Sequence, residues 1–225
     1  MAYSPCFLCH AAAASGEDFC QQCLADMPWN HRACQRCALP ISDPYSSDCA
    51  ACSQAPPPFE FAVASFRYDY PIDHMLLRYK QHGDEVLGAK LARLMLNSLS
   101  EDALLQLQGT TLVPVAMHPQ DLRQRGFNQA QQLADSIALH SGLTVDRRLV
   151  ATRTHAAQKS LNAAQRRQNM RGVFHFPDPA PKHCVIVDDV VTTGATVCAV
   201  AQQLKQRGSE QISVLCLART PASGH

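Results

Sequence analysis

Long apolar runs are absent from this 225-residue sequence, in which no stretch reaches the roughly 18–20 residues that a membrane-spanning helix requires. The first ten residues, MAYSPCFLCH, have neither a basic start nor an apolar centre, so they do not resemble a secretory signal peptide. An excess of either charge is also missing, because 20 Lys and Arg residues nearly balance 19 Asp and Glu residues. We therefore expect a cytoplasmic protein without a transmembrane segment, and the net charge indicates no particular partner.

Charged residues make up only 17% of the sequence and hydrophobic residues 46%, a balance that indicates a folded chain rather than a disordered one. No Gly-Lys-Ser or Gly-Lys-Thr string is present, so an ATPase with a Walker-type phosphate loop is not supported. The histidines lack the spacing of metal ligands. Other residue types must therefore carry the chemistry, and cysteine is the most conspicuous of them.

Eight of the eleven cysteines lie in the first 52 residues, and all eight belong to Cys-x-x-Cys pairs separated by ten or eleven residues. Each pair can form a tight turn that directs two thiolates at one ion, and two turns complete a tetrahedron around zinc. The spacing therefore predicts two structural Zn²⁺ sites, formed by successive pairs or, as the less favoured arrangement, by crossed pairs. The predicted ligands are Cys6, Cys9, Cys20, Cys23, Cys34, Cys37, Cys49 and Cys52.

Two other roles for the cysteine-rich segment, residues 1–53, are less well supported. A dithiol redox protein needs only one Cys-x-x-Cys pair, whereas this segment has four. Binding of nucleic acid requires clustered cations, but the segment has five acidic and two basic residues. We expect a double zinc-ribbon module that acts as a scaffold or protein-docking surface, with the metal supplying much of its folding free energy.

A proline-rich stretch divides the sequence into two regions of different character. Residues 54–58, Gln-Ala-Pro-Pro-Pro, disfavour helix and central strand and are interpreted as a stiff linker. In residues 59–225, strand signals alternate with helix signals, which favours an open, mainly parallel α/β sheet flanked by helices. Predicted strands are Phe61–Tyr68, Leu112–Met117, Cys184–Val187 and Ile212–Leu217, and predicted helices include Leu87–Leu99 and Gln129–His140.

The segment Val185–Thr196, VIVDDVVTTGAT, has the pattern of a phosphate-binding turn between a buried strand and a helix. Two adjacent carboxylates at the end of the strand can accept hydrogen bonds from vicinal ribose hydroxyls. Backbone N–H groups and threonine hydroxyls at the helix N-terminus can bind a phosphate, and Mg²⁺ would arrive with a pyrophosphate of the ligand. The predicted ligand is a ribose phosphate, and its predicted binding residues are Asp188, Asp189, Thr192, Thr193, Gly194, Ala195 and Thr196.

This segment resembles the 5-phosphoribosyl 1-pyrophosphate (PRPP) motif of type I phosphoribosyltransferases. The whole chain resembles the ComF/GntX family, which is linked to competence and the use of external DNA. The resemblance covers nearly the full length, including the four cysteine pairs, the proline-rich linker, Tyr79-Lys80, VPVAMHPQDLRQRGFNQ and the PRPP motif. It implies a double zinc ribbon before a type I phosphoribosyltransferase-like domain, with PRPP and Mg²⁺ bound at the motif.

Basic residues are concentrated between His118 and His175, where nine Arg and Lys residues outnumber three acidic ones. Such a positive field suits a polyanion, either pyrophosphate or nucleic acid. The resemblance implies that one basic segment adjoins the pyrophosphate and that another is a hood closing over PRPP. A solvated basic turn, an Asn N-cap and exposed surface arginines are the simpler interpretations. The candidate pyrophosphate and hood residues are Lys80, Arg123, Arg125, Asn128, Arg153 and Arg166.

Three functions are compatible with these residues: an enzyme, a ligand-dependent regulator, and a protein that handles single-stranded DNA. Neither an acceptor pocket nor a general base can be nominated, so the catalytic residues stay unassigned. We predict a PRPP-binding accessory protein of DNA uptake or of the use of external DNA. Single-stranded DNA and other DNA-uptake proteins are its candidate partners. The alternative is an active phosphoribosyltransferase acting on a nucleobase or another acceptor.

Overall fold

The computed structural model describes residues 4–43, 45–152 and 172–222. Within these ranges, no helix is both long enough and apolar enough to span a membrane. The strands are β1 (Ser4–Pro5), β2 (Ala12–Ala13), β3 (Phe61–Arg67), β4 (Thr111–Pro114), β5 (Thr144–Val145), β6 (Val150–Ala151), β7 (Phe174–His175), β8 (His183–Val191) and β9 (Gln211–Arg219). The helices are α1 (Gln21–Ala25), α2 (Ala50–Gln54), α3 (Ile72–His82), α4 (Glu85–Asn97), α5 (Glu101–Leu107), α6 (Pro119–Arg125), α7 (Gln129–Ser141) and α8 (Ala195–Gln206).

Five strands form the main sheet in the order β3-β9-β8-β4-β5, and every pairing between neighbours is parallel. The predicted open, parallel α/β sheet is thereby confirmed. Because all five strands run in one direction, their carboxyl ends meet at the same edge of the sheet. Ligands of open α/β sheets bind at that edge, so the turn between β8 and α8 is well placed for a binding site.

Strand β8 is longer than the sequence predicted. The apolar run predicted a strand that ends at Val187, but β8 continues to Val191 and contains both aspartates. The reason lies in the neighbouring strand, because β9 also continues and pairs Cys216 with Asp188 and Ala218 with Val190. The aspartates therefore belong to a hydrogen-bonded ladder, which holds their backbone more rigidly than a loop would.

The side chains of β8 alternate between two apolar layers, as strand geometry requires. Val185 and Val187 belong to the buried cluster that contains residues of α4 and α7. Cys184 and Ile186 belong to the second cluster, which contains the buried face of α8. A strand covered by helices on both faces needs apolar residues throughout, which explains the continuous hydrophobic run in the sequence.

The cysteine-rich segment packs directly against the edge strand β3. The N–H of Arg67 donates to the carbonyl of Pro28 at 2.8 Å, and the N–H of Asn30 donates to the carbonyl of Ser65 at 3.0 Å. Trp29 lies between these contacts and packs against Phe66 in a tilted arrangement, with the ring centroids 4.5 Å apart. An exposed edge strand is prone to aberrant pairing, and this segment covers that edge.

The cysteine-rich segment also shares the hydrophobic core of the main sheet. Phe19 and Met27 are buried in the same cluster as Phe66 of β3. Outside the core, Asp18 forms ion pairs with both Lys90 and Arg93 of α4. These contacts, in addition to the proline-rich connection at residues 54–58, join the two regions into one packed unit.

Candidate functional site

A cleft of about 620 Å³ opens at the carboxyl edge of the main sheet. It lies between the ends of β4 and β8 and is bordered by the last turn of α3 and by the segment from α6 to α7. Its volume falls in the range of small-molecule sites, roughly 300–1,000 Å³. Six of the residues predicted from the sequence line it: Lys80, Arg125, Asn128, Asp188, Asp189 and Thr196.

The two aspartates lie at the floor of the cleft beside a lysine from another element. Lys80, in the last turn of α3, places its Nζ 2.7 Å from Oδ2 of Asp189. The Asp189 side chain is only 13% exposed, whereas that of Lys80 is 32% exposed. Tyr79 fixes the end of α3, because its ring is fully buried and its hydroxyl donates to Oε1 of Gln132 at 2.7 Å. The lysine therefore comes from a firmly anchored turn.

The pKa of Asp188 is raised to about 8, mainly by burial and then by the negative charge of the adjacent Asp189, against the lowering effects of the Asp189 N–H and of Lys80. The physical cause is that the site offers little water to solvate two neighbouring carboxylates. Of the two carboxyl groups, Asp188 therefore holds a proton more readily, while Asp189 pairs with Lys80. A ligand that brings hydroxyl groups or a cation to this pair would replace the missing solvation.

Asp188→Asn is expected to stabilise the ligand-free protein at alkaline pH. The pKa of Asp188 is higher in the folded state than in an unfolded chain, so the folded state binds more protons and the free energy of unfolding falls as pH rises from about 4 towards 8. Asparagine has no ionisable carboxyl group, so the free energy of unfolding of the variant does not have this dependence on pH. The variant's advantage in free energy of unfolding should therefore grow by about 1 kcal/mol per pH unit between pH 5 and 8.

Urea denaturation at pH 5, 6, 7 and 8 measures this advantage. Asp178→Asn is a matched control, because that carboxylate is 65% exposed and lies outside the cleft. A difference between wild type and Asp188→Asn that stays constant across the series would contradict the burial of an ionisable Asp188.

The turn from β8 to α8 has the geometry of a phosphate-binding helix N-terminus. Gly194 is the N-cap of α8 and has φ of +77°, a left-handed conformation that favours glycine. The N–H of Ala195 is directed at Oγ1 of Thr193 at 3.3 Å. The side of Gly194 where a Cβ would lie is open, with no atom within 4 Å. The first-turn N–H groups of a helix lack intrahelical partners, so they can donate to an anion in this open space.

Of the three candidate residues just before α7, the structure places Arg125 and Asn128 in the cleft but not Arg123. Arg125 lines the cleft, and its Nη1 donates to Oε1 of Gln129 at 3.0 Å. Arg123 is on the exposed side of α6, where its Nε donates to the carbonyl of Pro119 at 3.3 Å, and it is not among the cleft-lining residues. Asn128 lines the cleft, but both ends of its amide serve the backbone. It caps α7 by accepting from the N–H of Ala130 and donates to the carbonyl of Val115.

The two remaining hood candidates, Arg153 and Arg166, lie outside the described residues. The structure also brings two further groups to the site, Gln129 and Arg219, of which the sequence analysis missed Arg219. Gln129 is 3% exposed and lines the cleft, and its Nε2 has no hydrogen-bond partner within the described ranges. Arg219 is 5% exposed and contacts the turn that precedes α8. The signal that could have indicated Arg219 is its place as the one charged residue at the end of the apolar strand ISVLCLAR.

The eight N-terminal cysteines gather into two groups of four, and within each group all sulfur atoms lie within 4.8 Å of one another. The groups combine successive pairs, which is the arrangement preferred from the sequence. A tetrahedral zinc site with Zn–S bonds of about 2.3 Å needs sulfur atoms about 3.8 Å apart. The observed separations of 3.6 Å between Cys9 and Cys20 and 3.7 Å between Cys37 and Cys49 fit that requirement.

Comparison with known proteins matches both parts of the chain. Residues 91–224 match the family model described as phosphoribosyl transferase domain, which is more than half of the chain. Residues 3–53 match the model described as double zinc ribbon domain. The N-terminal module is therefore a double zinc ribbon with two four-cysteine sites.

Similar proteins match over nearly the whole chain. The DNA utilization protein YhgH of Salmonella typhimurium is 33% identical over 224 residues, covering 96% of both chains. The protein of the same name from Escherichia coli K12 is 32% identical over 221 residues, again covering 96% of both. Competence protein F of Haemophilus influenzae is 26% identical over 211 residues, covering 89% of this chain and 88% of the relative. With its double zinc ribbon and phosphoribosyltransferase domain, the chain belongs to the ComF/GntX family.

Proposed function

We propose that the cleft binds PRPP with Mg²⁺. The observation that carries this proposal is the meeting of Asp188, Asp189 and Lys80 with the N-terminus of α8 in one cleft. Asp188 and Asp189 would accept hydrogen bonds from the ribose hydroxyls. The N–H groups at residues 193–196 would bind the 5′-phosphate, and Thr196 would add its hydroxyl. Mg²⁺ would be carried by the pyrophosphate oxygens and water.

Lys80 has two partners in this scheme. In the ligand-free cleft it neutralises Asp189, and its ammonium is a compact charge on a flexible stem. A phosphate or pyrophosphate entering the cleft offers a second anion within reach of the same side chain. Lys80 would then contact both Asp189 and the ligand. Its positive charge would keep Asp189 ionised, so that the carboxylate can accept hydrogen bonds from the ribose hydroxyls.

Arg125→Gln is expected to weaken binding of PRPP and Mg²⁺ by about 10-fold or more, because one charge-assisted hydrogen bond contributes about 1.5–3 kcal/mol. Arg123→Gln is the matched control, since this arginine lies two residues away in the same helix but outside the cleft. Isothermal titration calorimetry of the two variants measures the difference. Equal affinity losses would mean that the two arginines act only through the general positive field.

In the cell, we propose that the protein is an accessory factor of DNA uptake or of the use of external DNA. The names of its relatives, DNA utilization protein and competence protein, support this role. Eight cysteines that serve as zinc ligands need a reducing compartment, which supports a cytosolic location. Single-stranded DNA is a candidate partner, because the basic residues between His118 and His175 supply a positive field.

Phosphoribosyl transfer to a nucleobase or another acceptor is the second candidate function. The observation that favours it is the raised pKa of Asp188, about 8, because a group that titrates near neutral pH can exchange a proton with a reacting ligand. Asp188 is therefore the residue we nominate to hold a proton at the ribose in such a reaction.

Titration of the zinc-loaded protein with PRPP and Mg²⁺ tests the proposal. Binding with a dissociation constant in the micromolar range, without release of pyrophosphate, supports the accessory role. Pyrophosphate release on addition of nucleobases supports the transferase instead. For the DNA partner, we expect anisotropy of a labelled oligonucleotide to show steep salt dependence. Absence of heat with millimolar PRPP would refute the ligand assignment.

A further inference from the structure

Arg219, the last residue of β9, joins the zinc ribbon to the turn that precedes α8. Its side chain is buried, and its guanidinium is surrounded by backbone carbonyls. Nη1 donates to the carbonyls of Val191 and Thr220, each at 3.0 Å, and to that of Thr192. Nε donates to the carbonyl of Cys37 at 3.1 Å. One buried cation therefore holds two segments that are more than 150 residues apart in sequence.

On the cleft side, Arg219 fixes the orientation of two peptide groups. In a planar trans peptide the C=O points opposite to the N–H of the following residue. When the carbonyls of Val191 and Thr192 are directed at the guanidinium, the N–H groups of Thr192 and Thr193 must point away from it. These amides begin the phosphate-binding turn, so Arg219 sets their direction before a ligand arrives.

On the zinc side, the anchoring carbonyl belongs to a metal ligand. Cys37 is one of the four cysteines of the second cluster. The turn around it is closed by two backbone hydrogen bonds of 2.8 Å, from Cys34 N–H to the Leu39 carbonyl and from Ala38 N–H to the Cys34 carbonyl. A zinc ion bound through the Cys37 sulfur holds this turn, and with it the carbonyl that receives the guanidinium.

We propose that Arg219 is a positioning residue through which zinc at the second cluster controls the shape of the phosphate-binding turn and hence its affinity for PRPP. The part that concerns affinity rests on the proposed function, whereas the coupling between zinc and the turn does not. Loss of zinc releases Cys37 and removes one anchor of the guanidinium. The carbonyl of Val191 is still held by the N–H of Thr220 at 3.1 Å, so the carbonyl of Thr192 is the one that gains freedom to reorient. Because coupling between binding sites is reciprocal, PRPP in turn raises the affinity of this cluster for zinc.

Hydrogen exchange of residues 190–197 tests the coupling without any ligand. Arg219→Lys keeps the charge but removes the fork that reaches both segments. We expect amide exchange in this segment to accelerate by about 10-fold or more in Arg219→Lys, as for a locally opened region. Arg67→Lys is the control, because this exposed arginine is the register partner of Arg219 on β3. Equal exchange in wild type and Arg219→Lys would overturn the proposal.

Pulsed alkylation of the zinc-loaded protein, followed by mass spectrometry of each cysteine peptide, supplies the second readout. In wild type, saturating PRPP and Mg²⁺ should slow alkylation of Cys34 and Cys37 and leave Cys6 and Cys9 in the first cluster unchanged. The proposed linkage between zinc and PRPP would be overturned if bound PRPP slowed alkylation of both clusters equally. It would also be overturned if PRPP bound and slowed alkylation of neither cluster. If wild type binds no PRPP at all, the ligand assignment fails, and the exchange measurement still decides whether Arg219 couples the zinc cluster to the turn.

Discussion

Replacing both aspartates, in Asp188→Asn/Asp189→Asn, is expected to abolish measurable binding of PRPP while leaving the protein folded. Asparagine has nearly the same shape, so the packing at the floor of the cleft is retained. The variant loses the ionised acceptor Asp189, worth about 1.5–3 kcal/mol, and the Asp188 carboxyl, worth about 1 kcal/mol, which together correspond to a loss of affinity of roughly 100-fold. Calorimetric titration with PRPP and Mg²⁺ measures the loss.

Glu210→Gln provides a carboxylate control for this experiment. Glu210 lies at the opposite, amino end of the sheet, where it pairs with Lys182 on the surface. Its replacement should leave PRPP affinity unchanged. Affinity of the double aspartate variant within about threefold of wild type would show that the ligand does not rest on Asp188 and Asp189.

Removal of zinc is expected to destabilise the main sheet as well as the ribbon. Structural zinc sites contribute about 10–16 kcal/mol in small peptides, which is comparable to the roughly 5–15 kcal/mol of net stability that a typical domain has. Here the ribbon covers the edge of β3 and shares a core cluster with it, so its loss exposes Phe66 and the residues around it. A strong chelator, or Cys34→Ser, should lower the melting temperature by more than about 10 °C.

Trp29 reports this transition, because it is the single tryptophan of the chain and stacks on Phe66. Fluorescence should change together with the circular dichroism of the sheet in one cooperative step. Cys198→Ser is the matched control, since this cysteine lies outside both clusters. A change in Trp29 fluorescence at an unaltered melting temperature would show that the ribbon unfolds independently of the sheet.

The features that could be predicted from the sequence are those encoded by local patterns. Cysteine spacing predicted the two clusters, because a Cys-x-x-Cys turn places its sulfurs together without help from distant residues. The continuous apolar run of β8 predicted a buried parallel strand. The pattern from Asp188 to Thr196 predicted a phosphate-binding turn, and the structure places the aspartates and Thr196 in one cleft with Lys80.

The features that could not be predicted depend on residues far apart in the chain. The extension of β8 to Val191 requires the length of β9, which is set some 25 residues later. Arg125 lines the cleft and Arg123 does not, and this difference depends on how α6 is oriented against the sheet. The contact of Arg219 with Cys37 requires the packing of the ribbon on the domain, and no periodicity or motif records that packing.

A crystal structure of the zinc-loaded protein with PRPP and Mg²⁺ tests the central claim most directly. We expect the pentose against Asp188 and Asp189, the 5′-phosphate on the amides at the N-terminus of α8, and the pyrophosphate within reach of Lys80 and Arg125. Ligand density elsewhere on the protein, with this cleft unchanged and filled only by water, would contradict it.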